Sequence, residues 1–136
     1  MADTTPPLRV LLVEDYPELA EATADLLMAQ GLDVRTALSG HEALQIAPTF
    51  QPQLILCDLK LPDMTGLEVA SVLRSNPATE GTYVVILTAM RRSEVTHRVG
   101  VDQPRIDAFL TKPITLEAIR TLVERLTPQP VNDERS

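Results

Sequence analysis

Short apolar runs alternate along this chain with stretches whose apolar positions recur every three or four residues. LRVLLV, from Leu8 to Val13, has the composition of a strand buried on both faces, and Glu14-Asp15 closes it. Pro17 suits the first turn of a helix, where its missing N–H does no harm. Leu19, Thr23, Leu26, Leu27 and Gln30 then follow at helical spacing with Ala22 on the same side, and Gly31 stops the helix. Leu32 to Ala37 is a shorter strand whose Asp33 and Arg35 place it near a sheet edge. Ser39 and Glu42 have the spacing of a capping box opening a second helix through Ala43, Leu44 and Ala47, which Pro48 ends.

The next run, Leu54 to Cys57, leads straight into Asp58. Gly66 opens a third helix, with Leu67, Val69, Ala70, Val72 and Leu73 apolar, ending near Ser75-Asn76-Pro77. Tyr83 to Leu87 is a fourth strand terminated by Thr88, and a fourth helix spans about Ser93 to Val99 before Gly100 and Pro104. Ile106 to Thr111 is a fifth strand ending at Lys112-Pro113, and Thr115 caps a last helix through Leu116, Ile119, Leu122, Val123 and Leu126. Strands thus alternate with helices five times, which predicts a doubly wound five-stranded parallel sheet flanked by five helices, because parallel strands need right-handed crossovers.

A chain of 136 residues accommodates one such domain, here 8–127, between a disordered or extended leader (1–7) and a polar tail (128–136), with no output domain. The absence of a membrane-length apolar run or a signal-peptide core points to a cytoplasmic protein. Net charge is −7, and Arg91-Arg92 is no basic patch, which argues against nucleic acid. With no Trp, two Phe and two Tyr, a base-stacking surface is not expected either. The lone Cys57 excludes an internal disulfide and a cysteine-rich zinc site, and its apolar surroundings make it a small core residue.

The strand ends carry the chemistry. Glu14 and Asp15 close the first, Asp58 the third, Thr88 the fourth and Lys112 the fifth. Singly, each is equally a cap or turn former. In a parallel sheet, however, all these ends share one edge, the edge where open α/β sheets bind ligands. Three neighbouring carboxylates repel one another unless a cation is bound. An all-oxygen site without Cys or His ligands suits Mg²⁺ better than zinc. Asp58, between the acidic dyad and Lys112, is placed as a carboxylate nucleophile toward phosphorus, with the metal and lysine holding the phosphoryl oxygens. The Thr88 hydroxyl could then report on a phosphoryl group.

VED (Val13 to Asp15), DLKLPDMTG (Asp58 to Gly66), LTA (Leu87 to Ala89) and FLTKP (Phe109 to Pro113) together resemble the receiver domains of two-component response regulators. The resemblance covers about Leu8 to Leu126 and implies a flavodoxin-like sheet of order 2-1-3-4-5. It implies that Asp58 is the phosphoacceptor, that Asp15, Asp58 and the backbone carbonyl of Lys60 ligate Mg²⁺, and that Glu14 acts through a bound water. Pro62 and Gly66 would shape the loop holding that carbonyl. Lys112 would pair with the phosphoryl group, Thr88 would be the switch hydroxyl and Phe109 the switch aromatic, with a cis Lys112–Pro113 bond.

The chain departs from the family in VGVDQPRID, Val99 to Asp107, where the segment between Thr88 and Phe109 is about two residues longer than usual. Lys60 and Met90, two residues beyond Asp58 and Thr88, are either exposed loop residues or tuners of the acyl phosphate's lifetime. His41 and His97 read as surface residues rather than relay histidines. The expected function is a phosphorylation-dependent signalling switch. Its partners would be a sensor histidine kinase or histidine phosphotransfer protein and a downstream protein target, and homodimerisation is compatible with it. Phosphorylation would bias a two-state equilibrium near the fourth predicted helix and fifth strand. Alternatives are a phosphorylation-independent binding module and an aspartyl-phosphate phosphohydrolase; the latter needs a second acid where Lys60 stands.

Overall fold

A computed structural model describes residues 6–89 and 104–127. Five strands, β1 (Arg9–Val13), β2 (Asp33–Ala37), β3 (Leu54–Asp58), β4 (Tyr83–Thr88) and β5 (Ala108–Thr111), form one parallel sheet in the order β2-β1-β3-β4-β5. Four helices fall within the described residues: α1 (Pro17–Met28), α2 (Gly40–Phe50), α3 (Gly66–Arg74) and α4 (Leu116–Leu126). The predicted helix from Ser93 to Val99, with Met90 and His97, lies outside them, as do residues 1–5 and the tail from 128.

Period-two alternation divides the core. Leu11, Val13, Ile55, Cys57, Val84 and Ile86 pack with Ala43, Ala47 and Phe50 of α2 and Leu67, Val69, Ala70 and Leu73 of α3. The intervening residues Val10, Leu12, Leu54, Leu56, Val85 and Leu87 pack with Ala24 and Leu27 of α1 and Ile119 and Leu122 of α4. Helices therefore cover both faces, and all five β3 residues are buried. At roughly 1.5–3 kcal/mol for each large apolar side chain taken from water, the central strands carry most of the favourable burial. In β2 only Ala37 is fully buried; its exposed Asp33 and Arg35 mark the edge strand, where outward charge also discourages pairing with another chain.

Local expectations fail where distant contacts override them. Pro48 does not end α2, which continues to Phe50. Phe50 is buried, and the Arg9 guanidinium reaches across to hold the helix end, donating from Nε to the carbonyls of Phe50 (3.2 Å) and Gln51 (2.9 Å). Gln51 closes the helix at φ 50°, with its N–H on the Ala47 carbonyl. The buried face of α1 is Ala20, Ala24 and Leu27, whereas Leu19 and Ala22 are exposed. Leu19, Ala22, Thr23 and Leu26 line a groove that also contains Pro113 and Ile114. Small alanines let α1 lie close to the sheet, which a rule ranking side chains by hydrophobicity misses.

The capping box at Ser39 is half formed. Ser39 Oγ accepts from Glu42 N–H, but Glu42 Oε1 accepts from Leu38 N–H at 2.8 Å instead of from Ser39. A complete box stands at Thr65 and Glu68, at the start of α3.

Candidate functional site

The register of the ladder sets the site. Val13 pairs with Cys57 and Asp58 pairs with Leu87, so Glu14, one step past Val13, comes level with Asp58. Thr88 pairs with Thr111, which brings Lys112 to the same edge. Glu14 and Asp58 are both 3% exposed, while Asp15 lies open to solvent. The acidic dyad is therefore split: Glu14, still tied to the ladder through its N–H to the Ala37 carbonyl, sits beneath the site, and Asp15, past the ladder's end, stands at its rim. Asp15, Asp58, Leu59, Lys60, Leu87, Thr88, Ala89 and Lys112 line a cleft of about 240 Å³. The predicted residues Asp15, Asp58, Lys60, Thr88 and Lys112 thus meet in one place, with Glu14 behind them.

The lysine bridges the two buried acids. Lys112 Nζ donates to Glu14 Oε1 at 3.0 Å and lies 3.1 Å from Asp58 Oδ1. Glu14 Oε2 accepts from the Tyr16 N–H at 3.0 Å, which fixes the second oxygen of that carboxylate. The Lys112–Pro113 bond is cis, as the resemblance implied. Burial acts to lower the Lys112 pKa, but the bonds to Glu14 and Asp58 outweigh it and hold the ammonium charged.

Asp58 is pushed up to about 7, first by burial and then by its contact with Glu14, against the opposing pull of Lys112. Its Oδ1 is buried and has no aligned hydrogen bond, although the lysine is near. Ligand oxygens from Glu14, Asp15 and Asp58 lie within 4.8 Å of one another. A buried carboxylate oxygen without a hydrogen bond, in an all-oxygen cluster open to solvent on one side, fits a hard divalent cation that keeps some of its waters. Cys57 belongs to the core: it is buried, its Sγ–H points to the Asp58 carbonyl, and burial followed by the Asp58 charge pushes the thiol up, so it is inert.

The loop after Asp58 folds back on itself. Lys60 bridges to Thr65, Leu61 N–H donates to the Met64 carbonyl, and Gly66 N–H donates to the Leu59 carbonyl. Gly66 has to be glycine because a Cβ there would collide with the Asp58 carbonyl oxygen. The tip of the loop reaches α2: Asp63 accepts from Gly40 N–H (2.9 Å) and from His41 N–H (2.8 Å). Those bonds, that from His41 first, hold the Asp63 carboxyl below its usual range. Sequence reasoning missed Asp63, since nothing local signals a partner 22 or 23 residues upstream. His41 is exposed at the start of α2, as expected.

Thr88 and Phe109 fall on the same face of the sheet. Ile86 pairs with Phe109 one step below the Leu87–Leu110 pair, and Phe109 is half-buried against the cluster containing Ile86. Phe109 therefore sits one strand over and below Thr88, on the same face.

A family model described as the response regulator receiver domain matches residues 10–124. The probable transcriptional regulatory protein TcrX of Mycobacterium tuberculosis is 37% identical over 114 residues, covering 83% of this chain and 47% of that protein. The response regulator MprA of Mycolicibacterium vanbaalenii is 33% identical over 126 residues, covering 90% of this chain and 53% of that one. The chain thus spans about half the length of these curated relatives. Among solved structures, a CheY-like receiver domain from Methylobacillus flagellatus superposes with TM-score 0.76 at 26% identity, over 88% of this chain and 98% of that one.

Proposed function

Because this chain belongs to the response regulator receiver domain family, we propose that it is a signalling switch phosphorylated on Asp58 by a histidine kinase or a histidine phosphotransfer protein. The observation that carries this reading is the buried, hydrogen-bond-deficient Oδ1 of Asp58 in a solvent-open cleft with Lys112 within 3.1 Å. Mg²⁺, held by Asp15, Asp58 and the Lys60 carbonyl with Glu14 acting through water, would supply charge neutralisation at the phosphoryl oxygens.

The chain's own residues do the rest. A carboxylate oxygen of Asp58 attacks phosphorus, forming an O–P bond as the P–N bond of a phosphohistidine breaks and its electron pair leaves with the imidazole nitrogen. Lys112 already lies within ion-pair distance of the attacking carboxylate, and its ammonium offsets the negative charge on the transferring group. Thr88, at the cleft wall, donates to a phosphoryl oxygen once one is present, and Phe109 answers from the neighbouring strand. That change alters the surface offered to a downstream protein. Hydrolysis reverses the modification: water attacks phosphorus and returns the Asp58 carboxylate and inorganic phosphate. Lys60, and with Lys60 Met90, would tune how easily that water enters, and Lys60 lines the cleft at an exposed position.

Incubation with acetyl phosphate and Mg²⁺, followed by intact-mass measurement, tests the proposal. Wild type gains one phosphoryl group and Asp58→Ala gains none. No Asp58-dependent gain sinks the signalling reading, and rapid turnover of many phosphoesters would replace it with a hydrolase.

A further inference from the structure

The loop that carries Lys60 is gripped at its far end by a helix that contributes no residue to the cleft. At the start of α2, Ser39 Oγ satisfies only the Glu42 N–H. The amides of Gly40 and His41, which a helix leaves without internal partners, both donate to Asp63. The two carboxylate oxygens each take one amide, so the contact fixes the orientation of the loop tip as well as its distance. Met64 seats the tip: its side chain packs onto Gly40 so closely that a Cβ there would force it to shift. From Asp63 the chain is three residues from Lys60, which faces the cleft, and the Lys60–Thr65 bridge makes the intervening turn short and stiff.

We propose that Asp63 is a positioning residue for the Asp58 site, holding the Lys60 loop in its cation-binding shape by gripping the first two amides of α2, and that cation occupancy is thereby coupled to the order of α2's first turn. The inference rests on the receiver reading above. It adds a route from the cleft to α2, on the side of the sheet away from β5. Coupling of this kind is reciprocal: whatever the Asp63 contact contributes to cation affinity, the cation returns to the contact.

Two readouts test it, neither of them activity. Mg²⁺ binding is measured by calorimetry, and amide exchange at Gly40 and His41 by nuclear magnetic resonance with and without Mg²⁺. In wild type, saturating Mg²⁺ raises protection at both amides. Asp63→Asn weakens Mg²⁺ binding about fivefold, at the low end of ordinary coupling, and abolishes the Mg²⁺-dependent protection.

Ser39→Ala removes the helix's own cap without touching the loop. It lowers stability and weakens Mg²⁺ binding by clearly less than Asp63→Asn, because the Asp63 bonds to Gly40 and His41 remain. If it weakens Mg²⁺ as much as Asp63→Asn, general fraying of α2 is the cause and the inference is overturned. The fivefold ratio should also persist in 0.5 M KCl, since a long-range charge effect would be screened away there; its disappearance overturns the inference. So does wild-type affinity in Asp63→Asn. Failure of the wild type to bind Mg²⁺ or to be phosphorylated strikes the receiver reading itself, whereas normal wild-type behaviour with an indifferent Asp63→Asn strikes only the positioning role.

Discussion

The two edges of the sheet are built on opposite principles. At the N-terminal edge, charged and polar groups are consumed by partners. Arg74, mostly buried, donates to the carbonyls of Arg105, Glu80 and Thr82 and to the Asp107 carboxylate, which also accepts from Val84 N–H. Thr82 Oγ1–H donates to the Pro52 carbonyl, and Arg9 closes α2. At the C-terminal edge, two buried acids share one lysine, a third stands at the rim, and an oxygen of Asp58 has no hydrogen bond. One edge holds the fold together, and the other keeps like charges together for a ligand to resolve. Stability and function are thus separated along the strands, at a distance of four or five residues.

The largest expected effect breaks the stable edge. Arg74→Ala removes a donor from the Asp107 carboxylate and from three carbonyls at a largely buried site and lowers unfolding free energy by about 3 kcal/mol, read from urea melts. Phosphorylation of the folded fraction on Asp58 should be unchanged, because no Arg74 contact reaches the cleft. Loss of phosphorylation at full folding would show that the two edges are not independent.

The next effect has the opposite sign and belongs to the functional edge. Unfolded, Asp58 ionises near its ordinary 3.8; folded without metal, it holds its proton to about 7. This stabilisation is therefore fully present below the lower value and is lost as pH rises through the upper one. Metal-free protein should be less stable at pH 8 than at pH 5, and Asp58→Asn should remove that slope and raise stability at pH 8 by about 2 kcal/mol. Added Mg²⁺ should restore stability to wild type at pH 8 but not to Asp58→Asn. Melts across pH, with and without Mg²⁺, check all three.

Lys112→Met sharpens the same contrast. Without the ammonium, Asp58 loses the positive charge that opposes Glu14 and burial, so its pKa should climb further, visible as a shifted carboxyl titration by nuclear magnetic resonance. An unmoved titration would mean that the lysine does not govern the site's charge state. The smallest effect is Thr65→Ala, which removes half of the α3 capping box and should cost about 1 kcal/mol in the same urea melts. Thr65 lies beside the Lys60 bridge, so a loss well above that would show the loop's turn failing along with the cap.

Much of this molecule is readable from one sequence because its signals are local. Apolar runs of four to six residues, separated by helical periodicities, determine a parallel alternating sheet with Asp58, Thr88 and Lys112 at strand ends. Chain order alone does not say which of Glu14 and Asp15 is buried; that is decided where the ladder ends, with Glu14 still bonded beside Ala37 and level with Asp58 and Asp15 beyond it. Nor does it locate the true face of α1, where Ala20 and Ala24 join Leu27 against the sheet while Leu19 is exposed, or extend α2 past Pro48, which depends on Arg9 some forty residues earlier.

Asp63 marks the boundary between the two kinds of information. In the sequence it is one polar residue in the run from Asp58 to Gly66, indistinguishable from a turn former. Its carboxylate finds two amides of α2 only because β1 lies between β2 and β3, bringing the loops that leave β2 and β3 to the same edge. Periodicity is a property of neighbours in the chain, so the sequence by itself determines the elements and the residues at their ends. The register between strands is a property of the packed sheet, and it alone decides which of those residues touch.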